Sequence, residues 1–391
     1  MKSHLSARII PICALLILLF GVLEPDPAEG FLEQFQDPKD GDFDLSYYLA
    51  EKKGFLPILV PITEPAVGYG AAFAGIFLHK SMAELQSEAE KNETGRRKPP
   101  SITVAGGMAT ENGTWGGFGG HFGVWADDRL RYMGGAGGAS VNLKFYGIGD
   151  ELGDDGLKYN LKGAGTVQEL NARLGSSDFF LGGRYTFFKV KSRFDVDDDI
   201  PRVGKREFTS NNGGLGISLN YDTRDNIFTP DRGLNGKLRL IYYDKAFGGD
   251  FRYQLIEGFC IGYLPVRPRL VLGFRLEGKF SGGDVPFYAL PFLDMRGVPL
   301  MKYQGKDVAL LEAEARWNIY ERWSMVGFAG AGKVSGNLNN LVNRPTVYTQ
   351  GIGFRYLLAR LFGLHAGVDI AHGPGQWAFY IQVGSAWARS L

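Results

Sequence analysis

The side chains best suited to chemistry in this 391-residue chain do not assemble into a catalytic pattern. His121, His365 and His372 lack carboxylate or thiolate partners at metal-ligand spacing. No G-x-S-x-G elbow is present to expose a nucleophilic serine. Asp195-Val196-Asp197-Asp198-Asp199 offers oxygens to calcium, but without the spacing of an EF-hand it reads as a solvated loop. Tyr146-Gly147-Ile148-Gly149 is followed by no helix, so it is not a dinucleotide fingerprint. No enzyme activity, metal or cofactor is therefore expected. What stands out is charge in strict alternation: Leu310, Glu312, Glu314, Arg316 and Asn318 interleave with Ala309, Leu311, Ala313, Ala315, Trp317 and Ile319.

Successive strand side chains point to opposite sides, so this segment has one charged wall and one apolar wall. A strand with lipid on one side and a watery lumen on the other accounts for both. The composition agrees: 56 Gly, 28 Phe and 18 Tyr within 45% hydrophobic content suit a sheet with small or polar interior positions and an aromatic exterior. A net charge of +1, with Arg96-Arg97-Lys98 as the one basic cluster, makes no electrostatic case for nucleic acid.

Lys2 and Arg8 precede an apolar run over 9–23 that is short for a span and flanked as an export signal, with a small-x-small site at Ala28-Glu29-Gly30. Residues 1–30 are therefore expected to be a cleaved signal peptide, the alternative being an uncleaved anchor. No later segment approaches ~20 uninterrupted apolar residues, so no helical span is expected. Cleavage would remove Cys13 and leave Cys260 without a disulfide partner in the chain. Residues 31–54 are polar and irregular, with room for a short helix around 45–51.

From 55 onward the chain reads as a meander of alternating segments separated by turn clusters such as Glu111-Asn112-Gly113 and Gly175-Ser176-Ser177-Asp178. The fold class expected is all-β: a transmembrane antiparallel barrel of about 16 strands, eleven before a long loop over 281–307 and five after it. An even number puts both chain ends on one side, with short connections such as 320–322 facing the periplasm and longer ones facing outward. Pro57 and Pro61 break the first segment; since proline cannot donate to a ladder, they belong on an edge or seam, or else they bend the strand's entry. In the last segment Trp377, Phe379, Ile381, Val383 and Trp387 are expected to share the apolar face. An amphipathic terminal strand ending in an aromatic resembles the sorting signal of outer-membrane barrels, although residues 388–391 trail it. Trp115, Trp125, Trp377 and Trp387, near strand ends, read as interfacial aromatics.

Met295-Arg296-Gly297-Val298, then Tyr303-x-Gly305 and Glu314-x-Arg316, together resemble the outer-membrane insertase superfamily of the BamA/TamA type, the bacterial surface antigen barrels. Tyr146-Gly147-Ile148-Gly149 and Tyr221-Asp222-Thr223-Arg224-Asp225-Asn226 with Pro230 and Gly233 agree, and the resemblance covers roughly 55–387. It implies that the loop carrying Arg296 folds back into the lumen and that Arg296 pairs with acidic residues on later strands. Glu314 is the partner by motif position, with Glu312 on the same wall and Asp369 on another strand. A guanidinium suits this because it stays charged and binds carboxylates through paired N–H groups, fixing a loop in one pose. The alternative is that Glu312, Glu314 and Arg316 merely line the lumen and pair among themselves. Two departures stand out. Where relatives often carry an aspartate one strand on, this chain has Gly327-Phe328-Ala329-Gly330-Ala331-Gly332, and only 31–54 is left where relatives carry periplasmic POTRA repeats.

Two functions follow from these readings. In one, a weak seam between the first and last strands assists outer-membrane biogenesis, with the lipid bilayer, unfolded outer-membrane proteins or a periplasmic protein as partners. In the other, the barrel is a passive pore. A barrel-embedded hydrolase is a distant third, and the oligomeric state is not encoded in any feature above.

Overall fold

The computed structural model describes residues 35–51, 54–81, 84, 99–145, 157–195, 207–336 and 346–387. The export-signal run, Arg96-Arg97-Lys98, the Tyr146 motif, Asp197 to Asp199 and the tail 388–391 lie outside the described residues. A short helix, α1 (Ser46–Glu51), precedes sixteen strands. They are β1 (Gly54–Ile62), β2 (Gly70–Leu78), β3 (Ile102–Thr110), β4 (Trp115–Trp125), β5 (Leu130–Phe145), β6 (Leu157–Arg173), β7 (Phe179–Phe194) and β8 (Glu207–Asp222). After them come β9 (Gly233–Tyr243), β10 (Tyr253–Arg267), β11 (Leu270–Gly283), β12 (Asp307–Asn318), β13 (Trp323–Ser335), β14 (Val347–Ala359), β15 (Leu364–Gly373) and β16 (Gln376–Val383).

Every strand pairs antiparallel with the next, in sequence order, to make a nearly closed barrel. The period of two recurs from strand to strand, with register shifts at Pro265/Arg267 and Leu357/Ala359. Phe73, Leu181, Ile217, Leu238, Leu276, Leu311, Ile352 and Phe379 are exposed on the outer face, while Glu169, Arg275, Glu312, Arg355 and Asp369 are buried on the inner one. Large apolar groups left outside and charges buried inside are the reverse of a soluble core, and they match a wall between lipid and an internal channel. No described helix is long and apolar enough to cross a membrane.

The wall is uneven. β5 to β8 run 16 or 17 residues, whereas β16, β1, β2 and β3 have only 8 or 9. At about 3.3 Å per residue the quarter around the first and last strands is roughly half as tall as the opposite side.

β16 is shorter than the alternation predicts. It ends at Val383 because Gly384 takes φ +80°, a left-handed turn that glycine adopts without penalty. The outward face therefore stops at Val383. Trp387 is 2% exposed and packs inside on Ile261, Tyr263 and Val271 of β10 and β11, so it does not share the lipid face of Phe379. Its reading as an interfacial aromatic is corrected with it. Trp115, Trp125 and Trp377 are exposed.

Candidate functional site

The loop over 284–306 joins β11 to β12 and turns back on itself through a bridge between Phe292 and Gln304. Leu293, Met295 and Val298 bury themselves against Val308, Leu310 and Val334. Gly330 and Gly332 on β13 make room for this: a Cβ on Gly330 would stand 2.7 Å from Met295 and 2.9 Å from Glu312. Gly305 likewise lies against Val334 and Ser335, where no side chain fits. Tyr303 packs on the same cluster, and its carbonyl accepts from Leu293 N at 2.9 Å. Gly297 has φ +88°, donates to Tyr380 Oη at 3.0 Å, and would bring a Cβ to 3.0 Å from Gly373 N.

This fixed loop presents Arg296. Its guanidinium reaches Glu314 at 2.8 Å and Asp369 at 2.9 Å, and stacks 3.5 Å from the ring centroid of Phe328. Glu312 is 4.0 Å away and bonds instead to Arg275 at 2.6 Å, while Arg275 also pairs with Glu277. Lys279 binds Glu277 at 2.7 Å, and Arg355 holds Asp369 at 2.6 Å. Lys279, Arg275, Arg296 and Arg355 thus balance Glu277, Glu312, Glu314 and Asp369 in one neutral network. Asp369, two strands beyond Phe328, supplies the carboxylate that the glycine-rich β13 lacks. Arg316 takes no part; it bonds to Asp231 and, at 3.1 Å, to Pro230 O.

Opposite the loop, residues 223–232 and 384–387 meet at the other mouth of the barrel. Ser385 N donates to Phe228 O at 2.6 Å, Tyr263 and Ser385 share a hydroxyl pair at 2.6 Å, and His365 N donates to Thr229 at 3.2 Å. This is the rim at which β1 begins and β16 ends, called the terminal rim below.

Among the described residues no ladder joins β1 to β16. The edges that face each other can be read from the hydrogen bonds on their far sides. Tyr69 accepts from Glu111 N and His79 donates to Ser101 O, so odd-numbered residues of β2 bond toward β3. The N–H and C=O of one residue share an edge and alternate along a strand, so even-numbered β2 residues bond toward β1. With Gly70 opposite Ile62 and Leu78 opposite Gly54, the β1 residues left for the free edge are Phe55, Pro57, Leu59 and Pro61. Two of four donors on that edge are therefore missing. By the same test Gly384 N, bonded to His365 O, leaves Trp377, Phe379, Ile381 and Val383 on the free edge of β16.

Residues 138–294 match the Omp85 superfamily domain. Among solved structures, BamA from Haemophilus ducreyi lacking POTRA domains 1–3 superposes with a TM-score of 0.59 at 11% identity, covering 85% of this chain and 70% of that one. CdiB from Acinetobacter baumannii and CdiB from Escherichia coli each give 0.55 at 11% identity over 85% of this chain, which spans only 60% and 62% of their lengths. At such identities the likeness is one of fold. No curated protein matches the chain in sequence.

Sequence reasoning missed Arg355, which shares Asp369 with Arg296, and the partnership of Arg322 with the acidic residues before β1. Alternation in β14 is the signal that would have placed Arg355 inside; no local pattern links Arg322 to residues nearly 300 positions away.

Proposed function

We propose that this Omp85 barrel assists outer-membrane biogenesis at the seam between β1 and β16, where a client strand or a lipid enters, and that it works by geometry without covalent chemistry. The observation that carries this reading is the unladdered seam, on whose β1 edge Pro57 and Pro61 remove two donors. The β1 edge, short of donors, pairs weakly with β16, whereas Trp377, Phe379, Ile381 and Val383 keep their N–H groups on the β16 edge, which is the edge an incoming strand can ladder onto. The short strands on both sides of the seam add to this, because a lower wall favours a locally thinner bilayer. The loop anchored by Arg296 at one mouth and the Trp387 segment at the other favour work at the wall over passage through the lumen. In this reading the terminal rim faces the periplasm and residues 1–30 are removed on export.

The test is reconstitution into liposomes with an unfolded model barrel as client. Faster client insertion than in empty liposomes, abolished by a disulfide across the seam, is the expected result. Steady ion conductance with no acceleration of the client would overturn the proposal in favour of a passive pore.

A further inference from the structure

Residues 35–51, before β1, do not hang free. Asp37, Asp40 and Asp44 converge on Arg322, in the turn between β12 and β13, at 2.7, 2.8 and 2.8 Å. Its guanidinium, 1% exposed, also donates to Phe43 O and Leu357 O. One turn further round, Arg360 between β14 and β15 binds Asp37 at 2.5 Å and also Asp40. Backbone contacts extend the dock: Leu45 N donates to Leu358 O at 2.8 Å, Arg360 N to Asp44 at 3.1 Å, and Leu361 N to Ser46 Oγ at 2.9 Å. Phe35 is buried where it stacks on Phe43 and Tyr48, so the segment carries a small core of its own.

The path of this segment matters more than any one bond. It is anchored to the turns at the ends of β12 to β15, and two residues after α1 it becomes β1. Between those points stand only β16 and the unladdered seam, and β16 turns inward at Gly384 instead of reaching across. Among the described residues, 35–51 is thus the segment that ties the two sides of the seam together at the terminal rim. We propose that it is a strap holding the seam shut there, with Arg322 and Arg360 as its docking site, and that its release lets β1 and β16 part. The proposal rests on the seam being the working element.

The physical argument is one of linkage. Arginine forks that meet three carboxylates hold the strap in one pose, and removing one strands buried carboxylates, Asp44 among them at 0% exposure. A docked strap restricts how far the start of β1 can move from β14, and a loose one does not.

The test uses the full chain with Cys260→Ser and spin labels at Phe55 and Val383, which lie exposed on opposite sides of the seam near the terminal rim. The expected result is a narrow distance distribution in the parent. In Arg322→Ala and in the near-isosteric pair Asp37→Asn with Asp40→Asn, a longer-distance population should grow several-fold, with Arg322→Lys in between. A third label at exposed Tyr47 reports whether the strap is loose, and heat-modifiable migration reports folding. A mobile label at Tyr47 with an unchanged seam distance overturns the proposal; so does an immobile label at Tyr47 in both variants. Distances are read without client, so a failed insertion assay beside strap-dependent seam opening counts against the proposed function and not against the strap.

Discussion

At the scale of single residues the barrel depends on a few buried charges. Arg296 answers two carboxylates from a loop, and Asp369, fully buried, accepts from both Arg296 and Arg355. Breaking a buried ion pair by removing one partner typically costs about 3–5 kcal/mol, because the other charge is left uncompensated. Arg296→Ala should therefore lower the temperature at which the folded band disappears in detergent gels. Arg296→Lys should recover only part of this, since an ammonium cannot fork between Glu314 and Asp369. Asp369→Asn should be worse than Glu314→Gln, which loses one partner and is less deeply buried. An unchanged melting profile in all of these would remove the loop anchor. At the strap, the hydrogen bond from Arg322 holds Asp40 down to about 2 against the opposing effect of burial, from an ordinary 3.8. Because the folded-state value is depressed, the strap's stabilisation is complete above pH about 4 and is lost as pH falls toward 2. The label at Tyr47 should thus stay immobile at pH 5 and become mobile between pH about 4 and 2. Mobility at pH 5 would mean that Asp40 does not govern docking.

At the scale of elements the first and last strands differ from the rest. β1 is apolar on both faces, short, and deprived of two donors on its open edge. Restoring donors with Pro57→Val and Pro61→Val should let β1 and β16 zip. The Phe55 to Val383 distribution should narrow, and client insertion should slow several-fold. Faster insertion in that variant would show that the missing donors do not weaken the seam. The end of β16 depends on another element. Trp387 fills a pocket on β10 and β11, and truncating a buried aromatic typically costs about 3–5 kcal/mol. Trp387→Ala should therefore lower the urea midpoint by a margin that an outward aromatic such as Trp377→Ala does not match. Equal effects would put Trp387 back on the lipid face. The alternation that marks Phe379 as outward was readable in the sequence. The reversal at Trp387 was not, because one glycine changes the path of everything after it, and only the pocket on distant strands shows where the indole goes.

At the scale of the whole molecule, chain segments pack on inward-facing side chains toward both ends of the barrel, and among the described residues no ladder joins β1 to β16. The loop over 284–306 meets inward faces of β12, β13, β15 and β16, and residues 223–232 with 384–387 span the terminal rim. In planar bilayers the parent should show rare, small conductance steps, and deleting 287–303 should convert them to steady current. Steady current in the parent would return the pore reading to first place.

Sixteen strands, the central loop and the charged inner face could be deduced from residue order alone, because a two-residue period and turn chemistry act locally and each strand pairs with its successor. The pairing of Arg296 with Glu314 was expected only through the family resemblance, because nothing in the alternation of β12 itself says which cation its carboxylates meet. Three things needed the closed sheet: which edge the prolines of β1 face, that Asp369 replaces the absent β13 carboxylate, and that Asp37, Asp40 and Asp44 enclose Arg322. Each joins residues that are far apart along the chain. Barrel closure brings them to contact distance, and nothing in local propensity records which distant charges will meet.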